Sequence, residues 1–129
     1  MDTALLEISE EHADPLRVEE LTRFLHRYLT DRGLDAERHA VSAPPGSKSG
    51  TAAAIGALTV AVASSPAIAS LVDGAFAWLT AGRIARARRT IKITRGDASI
   101  ELSDPSPEQK QQLIAWLLQH TDRDDEPSS

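Results

Sequence analysis

The chain opens on a period of two. Across Thr3–Ser9, Ala4, Leu6 and Ile8 share one face, which predicts a strand, and Leu5 adds apolar character to the other face. After an acidic turn at Glu10–Asp14 the period changes. Val18, Leu21, Phe24, Leu25, Tyr28 and Leu29 recur at helical spacing, with Asp14-Pro15 placed as N-cap and first turn and Gly33 as a C-terminal stop, so a helix is predicted from Pro15 to Arg32. A weaker alternation over Ala36–Val41 predicts a short second strand, and the Pro-, Gly- and Ser-rich stretch Ser42–Ser49 reads as a loop. Thr51–Val62 is apolar and alanine-rich, and it reads as a helix interrupted by Ser64-Ser65-Pro66. A second helix follows, in which Ile68, Leu71, Val72, Ala75, Phe76 and Leu79 form one stripe with Asp73 opposite. Thr90–Thr94 and Ala98–Leu102 flank Arg95-Gly96-Asp97 as a hairpin in which Ile91 and Ile93 face Ile100 and Leu102. Ser106-Pro107-Glu108-Gln109 is a capping box that opens a last helix carrying Leu113, Ile114, Trp116, Leu117 and Leu118.

The order strand, helix, strand, helix, helix, strand, strand, helix predicts an α+β chain built as a two-layer α/β sandwich. Its sheet is expected to be mixed and four-stranded, and its first strand–helix–strand unit right-handed and parallel. A single domain is expected over residues 1–120, with an apolar helical pair at 51–87 and a disordered acidic tail at 121–129.

Composition narrows the function classes. The chain has 129 residues and no cysteine, so disulfides, thiol nucleophiles and Cys-ligated metal centres are excluded. A net charge of −5 argues against a general nucleic-acid binder. The sequence begins Met1-Asp2 with Glu7, Glu10 and Glu11 close behind, without the basic start and apolar run of a signal peptide, so the cytoplasm is the expected location. His12, His26, His39 and His120 fall in no metal-ligand or triad spacing, and no serine sits in a nucleophile elbow. Gly46-Ser47-Lys48-Ser49-Gly50 resembles a phosphate loop, but Ser47 stands where glycine must precede the lysine, and Val41 where the first glycine belongs. No catalytic residue, cofactor site or metal site is therefore expected, and the chain reads as a non-enzyme.

Two features point to contact surfaces. Arg83, Arg86, Arg88, Arg89, Lys92 and Arg95 place six positive charges within thirteen residues with no acid among them. They predict a continuous positive patch running from the end of the apolar helix onto the outer face of the hairpin. From Thr51 to Gly82 the only charge is Asp73. The stretch is larger than one small sheet needs for cover, so it offers an interface through Phe76 and Trp78. Read as one continuous helix of ~45 Å it would instead cross a ~30 Å hydrocarbon core, which makes membrane insertion of residues 51–82 the alternative.

Several segments resemble the effector-associated constant component domain family of bacterial conflict systems. They are the strand TALLEIS, the helix VEELTRFLHRYL, the loop SAPPGSKSG, the run AAAIGALTVAVAS, the helix PAIASLVDGAFAWLTAGR with its basic extension, the hairpin TIKITRGDASIEL, and a final helix. The resemblance spans about Met1 to His120. It implies a non-enzymatic adaptor that works through protein–protein contacts in antiviral defence, beside an effector, peptidase or NTPase of the same system. It supplies no catalytic residues. Self-association and membrane contact stay open at this point.

Overall fold

The computed structural model describes residues 3–42, 54–62, 64–103 and 106–125. Eight elements follow in chain order: β1 (Thr3–Glu10), α1 (Pro15–Asp31), β2 (Ala36–Ser42), β3 (Ile55–Ala61), α2 (Ser65–Ile84), β4 (Arg89–Arg95), β5 (Ala98–Leu102) and α3 (Pro107–Asp125). The strands form one five-stranded sheet in the order β2-β3-β1-β4-β5, with every neighbouring pair antiparallel.

The α+β class stands, while the four-stranded mixed sheet is corrected to five antiparallel strands. The source of the error is residues 55–61. Alanine content suggests helix there, yet Gly56, Leu58 and Val60 are buried while Ile55, Ala57, Thr59 and Ala61 are half-buried. That alternation is the strand period, and it continues into buried Val62. The expected helical pair at 51–87 is therefore a strand followed by a helix ending at Ile84, and residues 51–53 lie outside the described set. β1 and β2 do run parallel, as a strand–helix–strand crossover requires, but β3 is inserted between them and pairs antiparallel with both. The continuous helix needed for membrane insertion of 51–82 is also absent. Among the described residues no helix is long and apolar enough to cross a membrane.

Local chemistry fixes the helix ends. Asp14 Oδ1 accepts from the Arg17 amide at 2.9 Å, with Pro15 in the first turn of α1. Ser64 caps α2 by accepting from the Ala67 amide at 3.3 Å, with Pro66 in the first turn. Ser106 Oγ accepts from the Gln109 amide at 3.1 Å at the start of α3. This last helix continues through Asp125, so residues 121–125 are helical where a disordered tail was expected, and 126–129 lie outside the described residues.

Helix-facing and open strand positions alternate. Ala4, Leu6, Ile8, Leu58, Val60, Ile91, Ile93 and Leu102 meet Leu21, Leu25 and Leu29 of α1, the Ile68–Leu79 stripe of α2, and Leu113 and Leu117 of α3 in one core. Burial of this apolar set is the main stabilising term, at roughly 25 cal/mol per Å². The opposite sheet face carries half-buried and exposed residues such as Leu5, Glu7, Thr59, Lys92 and Glu101. Gly56 lets α1 lie close to β3. A Cβ at position 56 would overlap Thr22, whose hydroxyl donates to the Val18 carbonyl at 2.7 Å. Phe24, grouped by spacing with the buried residues of α1, is 56% exposed and stacks on Tyr28 with ring centroids 6.4 Å apart.

Candidate functional site

Eight residues were singled out by sequence, and the fold divides them. Phe76 and Trp78 are core residues, Trp78 being only 1% exposed, so neither offers a side chain to a partner. The uncharged stretch that made them look available is taken up by β3 and by the core face of α2. Arg89 and Arg95 are buried as well, because β4 turns residues 89, 91, 93 and 95 to the helix side. Lys92 points the other way, as its position between Ile91 and Ile93 predicts. It is opposed across the sheet by Glu7 and Glu101, so the positive patch does not continue onto the hairpin.

The remaining arginines converge. Arg83, Arg86 and Arg88 are exposed. Together with Arg89 they line an open cleft of about 670 Å³ at the C-terminal end of α2, completed by Leu79, Ala87, Thr90 and Ser103. No carboxylate or imidazole lies among the described residues lining it. Arg83 occupies the last turn of α2, where a cation interacts favourably with the partial negative charge of the helix terminus. Arg88 meets Glu11 at 3.9 Å, but its side chain is 85% exposed, so that pair holds it weakly. Guanidinium groups beside the Thr90 and Ser103 hydroxyls suit the recognition of carboxylates or phosphates through charge-assisted hydrogen bonds.

Two details shape the cleft. The first is the buried network that holds Arg89 behind its surface. Glu10 and Arg89 are direct partners in the β1–β4 register, and each side chain is 8% exposed. Arg89 Nε donates to Glu10 Oε2 at 3.1 Å, Arg89 Nη1 donates to the Trp78 carbonyl at 2.8 Å, and the guanidinium lies 4.8 Å from the Trp78 ring centroid. Arg17 Nε donates to the other Glu10 oxygen at 3.1 Å. Burial pushes the Glu10 carboxyl up, but hydrogen bonds from Arg17 and Arg89 outweigh it and hold the group below its ordinary value. Gly82 admits the Arg89 stem, since a Cβ there would lie 2.8 Å from Arg89 Cγ. Sequence reading missed Glu10, although the signal was present. An acid continues the buried phase of Ala4, Leu6 and Ile8, and a base continues that of Ile91 and Ile93.

The second detail is Arg86. Both α1 and α2 close with the same paired bonds. In α1 the Leu34 amide reaches the Leu29 carbonyl and the Gly33 amide the Thr30 carbonyl. In α2 the Ala87 amide reaches the Gly82 carbonyl and the Arg86 amide the Arg83 carbonyl. The residue after the cap must take positive φ. Gly33 does so at 90°, whereas in α2 the position belongs to Arg86 at 60°. A side chain in this region costs energy that glycine avoids. Arg86→Gly is therefore expected to stabilise the fold by about 1 kcal/mol, measured as a raised urea midpoint at unchanged slope.

The other sequence candidates stay apart. His26 Nε2 donates to the Ala36 carbonyl at 3.0 Å, and His39 is hydrogen-bonded to Thr59 Oγ1 at 2.6 Å, so both serve local structure. The described residues contain no group of three or more metal-ligating side chains. The Gly46–Gly50 loop lies outside the described residues. No curated protein matches the chain. A family model described as Effector Associated Constant Component 1 matches residues 9–121.

Proposed function

Because the chain belongs to the Effector Associated Constant Component 1 family, we propose that it is a non-enzymatic adaptor of a multi-gene bacterial conflict system. In this reading it acts in the cytosol in defence against invaders such as phage. It holds an effector, peptidase or NTPase component of the same system through an acidic surface of that partner. The observation that carries the reading is the arginine cleft at the end of α2, which offers positive charge and hydrogen-bond donors with no carboxylate among the described residues that line it. Such a surface steers an acidic partner and fixes its orientation, with salt-sensitive affinity because exposed charges are screened over ~8 Å at physiological ionic strength.

The test is a pull-down with the products of neighbouring genes, repeated at low and high salt. Reversal of the three exposed arginines to glutamate, Arg83→Glu with Arg86→Glu and Arg88→Glu, is expected to weaken capture at least about tenfold at low salt. The melting temperature should fall by only a few degrees, since none of the three belongs to the core and the loss is confined to the favourable charge of Arg83 at the helix end and the weak Arg88–Glu11 pair. Equal capture by variant and wild type at both salt concentrations would remove the cleft from the reading.

A further inference from the structure

A second surface, formed by α1, carries its own signal. Arg17, Glu20, Phe24, Arg27 and Asp31 follow one another at spacings of three and four, within an arc of about 80° at 100° per residue. All five are exposed. Beside the stripe, Leu21, Tyr28 and Ala81 line an open groove of about 660 Å³ between α1 and α2. Phe24, more than half exposed, has no place in the molecule's own core.

The order of charges along this stripe is antisymmetric about the aromatic ring. Read forward it is positive, negative, Phe24, positive, negative. Turned end for end it becomes negative, positive, Phe24, negative, positive. An antiparallel copy of the same helix, centred on Phe24, therefore sets Arg17 against Asp31 of the second copy and Glu20 against Arg27 of the second copy. Both pairs recur on the other side of the two-fold axis. An isologous two-fold contact requires this kind of self-complementary pattern. Within one molecule Arg17 already contacts Glu10 at 3.1 Å and Glu20 at 3.7 Å, whereas Arg27 and Asp31 form no ion pair among the described residues. We infer that the α1 stripe is a homodimer interface. Two copies pack their first helices antiparallel, each inserting Phe24 beside the groove of the other. Burial of the aromatic ring supplies the attraction, and the charge order fixes the direction.

Sedimentation velocity over a range of protein concentrations tests the inference, with the charge swap as its decisive arm. The wild type should show a concentration-dependent dimer. Glu20→Arg alone puts like charges face to face with Arg27 of the second copy, and Arg27→Glu alone does the same with Glu20. Each is expected to weaken dimerisation about tenfold. The double swap, Glu20→Arg with Arg27→Glu, exchanges the partners in both copies and should restore the affinity to within about threefold of the wild type. The Glu20 side chain is 71% exposed, so far-UV circular dichroism and melting should match the wild type across the set. A wild type that stays monomeric at every concentration overturns the inference. So does a dimer indifferent to the single reversals, or one that the double swap fails to rescue.

Discussion

Glu10→Ala is expected to cost about 3–5 kcal/mol, because it leaves Arg89 charged, 8% exposed and without its carboxylate. A typical domain is stable by about 5–15 kcal/mol, so the variant should lose a large part of its folding free energy in a denaturant titration. Glu10→Gln keeps the shape and one acceptor oxygen and should lose less. The pair also sets a pH dependence. The folded-state pKa of Glu10 lies below its ordinary 4.5, so the unfolded chain binds more protons as pH falls through that region. The stabilisation is fully present above the unfolded value and disappears as pH drops through the lowered folded one. Subtracting the stability curve of Glu10→Gln from that of the wild type should leave a difference that shrinks below about pH 4.5 and is flat from pH 5 to 8. A difference constant from pH 7 to pH 3 would mean that the carboxylate gains nothing from its two arginines.

Trp78→Ala should be comparably damaging, at about 3–5 kcal/mol, since it empties one of the largest fully buried side chains in the core. It also removes the ring beneath the Arg89 guanidinium. The two losses are coupled through Arg89, so the double variant Glu10→Ala with Trp78→Ala should be less destabilised than the sum of the singles. The measurement separates two roles for this residue. A core tryptophan lowers the unfolding midpoint, whereas a docking tryptophan would leave stability unchanged and weaken partner capture. An unchanged midpoint would contradict its placement against the sheet.

Much of the fold was legible because single-face periodicity is a strong signal. β1, α1, the β4–β5 hairpin and α3 each bury most of the residues that their spacing selects, with Phe24 and Leu118 left exposed, and the hairpin register pairs Ile91 with Leu102 and Ile93 with Ile100. β3 was obscured by competition between composition and period. Alanine favours helix, but Gly56, Leu58 and Val60 alternate against a face that only the assembled sheet buries. Sheet order was invisible for a related reason. β3 enters between β1 and β2 through pairings distant in sequence, which local pattern does not encode. The basic segment illustrates what happens at a site. Six cations in thirteen residues look like one patch on paper. Strand alternation buries Arg89 and Arg95 and turns Lys92 toward two glutamates. Only the helix-end arginines remain, one of them in a backbone position that usually takes glycine.

The place of β1 at the centre of the sheet governs how the chain can be made. Leu6 is flanked by Leu58 on one side and Ile93 on the other. In synthesis β1 therefore emerges before β3 and β4 and waits for both of these neighbours, and Glu10 waits for Arg89. Until residues beyond Arg95 have emerged, β1 holds two unsatisfied edges, and α1 has no complete sheet to cover. Local hairpins can close early, but the core cannot form domain-fragment by domain-fragment as synthesis proceeds. Its assembly must be late, cooperative and slow relative to helix formation, because distant pairings carry a larger loop-closure cost before they return any stabilisation. During that interval the alternating apolar face of β1 is the segment most exposed to misassociation. Synthesis rate and chaperone access should therefore influence the yield of native protein more than any single surface charge.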